Sequence, residues 1–187
     1  MGLYLKAQNF RRGAPRCGAP IRGRPISRSK SAPKPSLAVR LQYGALPYRL
    51  TKSGAPEILL VTTRQTKRWI IPKGWPIKGL TPAKSAAREA FEEAGVRGSI
   101  KTKAIGVFFY DKHLDEDGII IPCEVRVFPL LVKRLSKTWP ESQQRETQWF
   151  EPAAAISLIE EESLRILISS FFEHLAAGTL ASKAPTR

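Results

Sequence analysis

Residues Gly74 to Val96 read GWPIKGLTPAKSAAREAFEEAGV. Thr81-Pro82 marks a helix start, with a hydroxyl to cap the first free N–H groups and a proline at the first helical position, where no N–H is needed. Gly95 supplies the left-handed stop, so the spacing predicts a helix to Ala94. Ala83, Ala86, Ala87, Ala90 and Ala94 form a small-residue side that lets such a helix lie close against a sheet. Arg88, Glu89, Glu92 and Glu93 follow at spacings of i, i+3 and i+4, which places three carboxylates on one face. Carboxylates crowded in this way repel one another, and a cation among them removes the conflict. Hard oxygen ligands suit Mg²⁺ or Mn²⁺, and a divalent ion held by carboxylates points to phosphate chemistry.

Strand signals surround this helix. Leu37 to Tyr43 alternates in part, and Ile58 to Thr63 is a buried apolar run entered from a Lys52-Ser53-Gly54-Ala55-Pro56 turn. Trp69-Ile70-Ile71 is a short strand stopped by Pro72. Ala104 to Tyr110 and Cys123 to Val132 read as strands around an acidic turn, His113 to Gly118, and Gln148 to Phe150 as another short strand. Ala153 to Leu158 reads as a short helix, and Ser163 to Ala176 as an amphipathic one with Leu164, Ile166, Leu167, Phe171 and Leu175 apolar. Strands, helix, strands, helix is the order of a mixed α+β sheet with helices packed on it, not of a regular βαβ repeat.

The chain has 187 residues, 42% of them hydrophobic, which fits one soluble globular domain with a tail. No apolar run is long enough to span a membrane. Cys17 and Cys123 lie far apart, which argues against a disulfide framework or zinc cluster and fits a reducing compartment. The net charge of +15 is uneven: residues 1–37 hold nine Lys or Arg and no Asp or Glu. Residues 1–36 are therefore set apart as a basic extension rich in Pro, Gly, Arg and Ser and expected to be disordered. An organellar transit peptide, a nucleic-acid-binding arm and a plain extension all fit that composition. The folded domain is placed at 37–177 and a tail at 178–187. The excess positive charge suits a polyanionic partner, whether nucleic acid, nucleotide or polyphosphorylated small molecule.

The quoted run resembles the Nudix box: Gly, five residues, Glu, seven residues, Arg-Glu, an aliphatic residue, any residue, Glu-Glu, any residue, Gly and an aliphatic residue. Gly74, Arg88, Glu89, Glu92, Glu93, Gly95 and Val96 stand at its positions. Leu80 departs where the first Glu belongs, and Ala90 where an aliphatic residue does. The resemblance implies a Nudix-type α/β/α sandwich around a mixed sheet. It also implies divalent-metal-dependent hydrolysis of a phosphoanhydride bond. By resemblance, Glu92, Glu93 and the backbone carbonyl of Lys73 would be metal ligands. Glu89 would hold a further ion or act as base, and Arg88, four residues before Glu92, can hold a carboxylate in place. Members often add a carboxylate from outside the box. Glu146 is the candidate here, with Glu141 and Glu124 as rivals.

The stretch Arg64 to Gly74 and the run Glu93 to Gly98 resemble the diphosphoinositol polyphosphate phosphohydrolases, a group that also acts on dinucleoside polyphosphates. Lys73-Gly74-Trp75 replaces that group's glycine triplet. Arg64, Lys67, Arg68 and Lys73 are the candidates for binding a polyphosphate, and Trp75 offers a stacking face. Trp69, Trp139 and Trp149 read as packing residues, and the lone His113 and His174 carry little signal. Removal of a pyrophosphate from an RNA 5′ end, or a catalytically silent fold that binds RNA or another polyanion, are the competing functions. A monomer or homodimer in the cytoplasm, or in an organelle if residues 1–36 are a targeting signal, completes the expectation.

Overall fold

The computed structural model describes residues 38–114 and 119–182. The proposed extension at 1–36 and the acidic turn at 115–118 lie outside them, as do residues 183–187 of the tail and the side chain of His113.

The elements run β1 (Arg40–Leu50), β2 (Pro56–Thr62), β3 (Trp69–Ile70), β4 (Lys73–Gly74), α1 (Pro82–Ala94), β5 (Val96–Ile100), β6 (Gly106–Leu114), β7 (Ile119–Leu135), β8 (Thr147–Phe150), α2 (Pro152–Leu158) and α3 (Glu162–Ser182). All eight strands join one sheet of order β3-β2-β1-β7-β5, with β4 on β1, β6 on β7 and β8 on β2. β1 and β7 pair in parallel from Arg40↔Cys123 to Tyr48↔Leu131, while the other pairings are antiparallel. The sheet is therefore mixed.

Two long strands organise this sheet by changing partners. β1 pairs with β4 at Tyr43 and Gly44, then with β2 from Tyr48 onward. β7 pairs with β6 as far as Val127 and with β5 from Leu130. At each handover the neighbouring strand leaves and a loop takes its place. The short β4 pairs with β1 just before one of those handovers and brings the Gly74 loop to the sheet beside α1.

α1 packs on β1, β4, β5 and β7, α2 on β2 and β8, and α3 on β6 and α2. Ile58, Leu59, Leu60 and Val61 are all buried in succession, the pattern of a strand covered on both faces rather than on one, which would alternate. Phe108, Val125, Val127, Leu164 and Ile168 complete the core.

The structure moves several expected boundaries. β1 begins at Arg40 and continues through Gly44 and Pro47, which read as breakers in isolation, because β7 pairs with it throughout. β5 was not expected: Arg97, Gly98 and Ser99 are exposed and lack alternation, and only pairing with β7 makes them a strand. α3 continues past Ala176 to Ser182.

Candidate active site

α1 starts and stops where its sequence signals stand. Thr81 accepts a hydrogen bond from the Lys84 N–H, and Gly95 takes φ 67° while its N–H returns to the Ala90 and Phe91 carbonyls. Ala83, Ala86, Ala90 and Ala94 are buried against the sheet, whereas Ala87 is only half-buried. The close approach that these alanines permit holds Glu89 and Glu93 at the Gly74 loop.

Each carboxylate has its own setting. Glu93 is buried, accepts the Lys73 backbone N–H at 3.1 Å and pairs with the Arg145 guanidinium at 2.5 Å. Burial pushes its carboxyl above the ordinary range, and Arg145 and Lys73 oppose that rise. Glu92 is held by Arg88 Nε, one helical turn away. Glu89 lies over Gly74 so closely that a Cβ there would come within 2.1 Å of its carboxyl carbon; only glycine leaves room for it. Burial first, then the charges of Glu93, Glu92 and Glu141, push the Glu89 carboxyl up to about 7.

The structure brings Glu141, rather than Glu146, to this group. The Glu141 N–H donates to the Glu92 carbonyl at 3.0 Å, and its charge raises both Glu89 and Glu93. Glu146 is exposed, and its backbone is tied both ways to Thr62. Glu124 lies on β7 and pairs with Arg126. The residue that sequence reasoning missed is Arg145. Its buried guanidinium donates to Glu93, to Glu141 and, at 2.9 Å, to the Thr62 carbonyl. A buried carboxylate needs a cation nearby, which was the one available clue, but nothing local marks Arg145 over its neighbours.

The donor set fits a divalent ion: four glutamates supply hard oxygens, and their mutual repulsion already shows in Glu89. Arg88 and Arg145 offset part of that charge. Among the described residues, no three His, Cys, Asp or Glu are already drawn together around a metal position.

The expected cations divide. Burial pulls Lys73 below the ordinary lysine range, and its Nζ lies 4.5 Å from the centre of the Tyr110 ring. Arg64 and Lys67 reach the Glu141–Gln144 loop, with Lys67 Nζ donating to the Gln144 carbonyl at 3.1 Å. Arg68 pairs with Glu160 at 2.6 Å and lies 3.4 Å from Glu161, so it is neutralised on the α2–α3 side. The faces of Trp75 are engaged by two cations that sequence reading passed over, Arg40 at 4.8 Å and Lys112 at 4.9 Å. The side chain of Glu161 is also nearly buried, its charge acts on Lys73, and one of its oxygens has no hydrogen-bond partner. His174 is exposed and bonds to the Ser170 carbonyl of its own helix. Trp69 packs on Phe150, Trp149 lies under Arg49, and Trp139 lies against Gly95.

Residues 42–171 match the family model described as the NUDIX domain. The chain belongs to the Nudix hydrolase family. It is 32% identical over 156 residues to Nudix hydrolase 21, chloroplastic, of Arabidopsis thaliana, a match that covers 80% of this chain and 72% of that one. Against diphosphoinositol polyphosphate phosphohydrolase 3-alpha of Mus musculus it is 34% identical over 107 residues, covering 56% of this chain and 60% of that one. A solved binary complex of the C. elegans Ap4A hydrolase superposes with a TM-score of 0.55 at 24% identity, covering 74% of this chain and 99% of that one; this shows the shared fold. Nudix hydrolases generally use divalent metals and act on polyphosphorylated small molecules. No helix among the described residues is long and apolar enough to cross a membrane.

Proposed function

We propose that this Nudix hydrolase cleaves a phosphoanhydride bond in a substrate carrying several phosphates, of the diphosphoinositol polyphosphate or dinucleoside polyphosphate class. The observation that carries the reading is Glu89 under the charges of Glu93, Glu92 and Glu141, with the cations Lys73 and, at Trp75, Lys112 nearby. The relative named as a diphosphoinositol polyphosphate phosphohydrolase supports the substrate class.

Mg²⁺ or Mn²⁺ would be held by Glu89, Glu92, Glu93 and the Lys73 backbone carbonyl, with Glu141 in place of Glu146 as the carboxylate from outside α1. A divalent ion bound there supplies charge neutralisation at the phosphates and lowers the pKa of a bound water. The rest falls to the chain's own groups. Arg88 fixes the rotamer of Glu92, and Arg145 fixes that of Glu93. Glu89, raised to about 7 in the cation-free site by burial and by the neighbouring carboxylates, would either hold a further ion or act as the base. Lys73, Arg64, Lys67, Arg40 and Lys112 offset the negative charge of the unreacting phosphates. Arg68 already has two carboxylates beside it and contributes less.

The test is a substrate panel with Mg²⁺ and with Mn²⁺, containing diphosphoinositol phosphates, dinucleoside polyphosphates, ADP-ribose, nucleoside triphosphates and 5′-triphosphate RNA. The expected result is metal-dependent release from the first two classes, lost by at least about 100-fold in Glu93→Gln with the fold retained. Wild-type turnover by Glu93→Gln would remove Glu93 from the site. Preference for 5′-triphosphate RNA would reassign the substrate.

A further inference from the structure

The opposite flank of α1 carries a different site. A cavity of about 590 Å³ opens there, lined by Leu80, Phe91 and five cations: Lys84 and Arg88 from α1, Arg97 from β5, and Lys133 and Arg134 from β7. No carboxylate lines it. Among the described residues, none of Lys84, Arg97, Lys133 and Arg134 has a carboxylate within ion-pair distance; the Arg97 guanidinium instead stacks 3.8 Å from the centre of the Phe91 ring.

The sheet is built to collect these charges. Arg97 and Arg134 are direct partners across β5 and β7, and directly opposed residues of an antiparallel pair point to the same face. Like charges in that position destabilise a sheet. Immediately beside them the register shifts: Gly98 pairs with Val132, so Lys133 is the extra residue of a bulge. A bulge re-aims side chains, which is how two consecutive residues, Lys133 and Arg134, both reach one cavity. The bulge depends on Gly98, where a Cβ would lie 2.0 Å from the Leu131 carbonyl oxygen. Leu80 belongs to the same wall. A glutamate there, as the family pattern would have it, would place a carboxylate among the five cations.

We infer that this cavity is a second anion site, separate from the glutamates, that binds a small phosphate-dense ligand of the inorganic polyphosphate type. Arginines in fork geometry and lysines as point charges suit closely spaced phosphate oxygens, and five cations gathered around about 590 Å³ match the charge density and size of a compact ligand. The inference does not rest on the reaction assigned to the carboxylates.

The experiment is a titration of the ¹⁵N-labelled full chain with inorganic tripolyphosphate, without divalent ions, followed by amide NMR. The amides of Arg97, Gly98, Lys133 and Arg134 are expected to shift saturably. In the K133Q/R134Q double variant the affinity read at Arg97 and Gly98 falls at least tenfold, while the rest of the spectrum shows the fold intact. Leu80→Glu keeps every cation and is expected to weaken binding about threefold or more. A titration that leaves these amides unmoved, or that is indifferent to both changes, overturns the site. A single-stranded RNA that saturates the same amides more tightly than tripolyphosphate overturns the ligand class. With a dinucleoside polyphosphate as substrate, K133Q/R134Q is expected to leave KM unchanged, as a separate site requires; a raised KM at unchanged kcat would make these cations part of the substrate site and overturn the separation.

Discussion

The two flanks of α1 use arginine in opposite ways. On the inner flank, Arg145 is buried and meets two carboxylates and a backbone carbonyl. On the outer flank, Arg97 and Arg134 face each other across two strands with no acid lining their cavity. The inner arginine completes a charge network within the protein, whereas the outer pair stays uncompensated until something else arrives. Arg88 links the two, pairing with Glu92 while lining the outer cavity.

The largest effect expected from breaking this contrast is on the inner side. Arg145→Gln leaves Glu93 buried without its counter-charge, at a cost of about 3 kcal/mol in urea unfolding. The E93Q/R145Q pair should lose less than the two single changes together, because the second change removes the charge that the first one strands. Strict additivity would show that Arg145 acts through Glu141 and Thr62 and not through Glu93. Gly74→Ala comes next. Its Cβ takes the space of the Glu89 carboxyl, so metal-dependent turnover should fall about tenfold or more with little change in melting temperature. Turnover near wild type would separate Glu89 from the reaction.

A smaller effect concerns pH. Glu89 has a folded pKa raised from 4.5 to about 7, so the folded state holds its proton more tightly than the unfolded chain does. The resulting stabilisation is complete below about pH 4.5 and is lost as pH rises through about 7. At pH 8 without divalent ions, Glu89→Gln should be more stable than wild type by roughly 1–2 kcal/mol, a figure reduced for the partial solvent access of the group. At pH 4 the two should coincide, and Mg²⁺ should close the gap at pH 8 if it binds among these carboxylates. Smallest of all, Arg134→Gln on the outer flank should raise stability by about 0.5 kcal/mol at low salt, since it removes a like-charge cross-strand pair. A loss of stability there would mean that the outer arginines are structural, and the contrast between the flanks would collapse.

The helix that separates these flanks is legible in the sequence. Cap, proline, alanine spacing and terminal glycine are all local signals within one short run, and they agree. The three carboxylates of α1 are legible for the same reason, because helical spacing alone puts them together. Arg145 and Glu141 are not. They reach the group through a loop between β7 and β8, and sequence position gives no reason to prefer Glu141 to Glu146. Arg40 and Lys112 come from β1 and β6 and meet at Trp75. β5 is invisible to local reading because its pattern is exposed and its existence depends on β7.

By itself, then, the sequence determined the capped helix, its carboxylate face, the family pattern that the face belongs to and the odd leucine at position 80. Each is a matter of residues a few positions apart, where backbone geometry leaves little choice. Tertiary structure decided which distant charges close around that face, and that Leu80 borders a basic cavity. Those facts depend on strands changing partners and on a bulge in β7, and both are set by long-range pairing that no local spacing encodes.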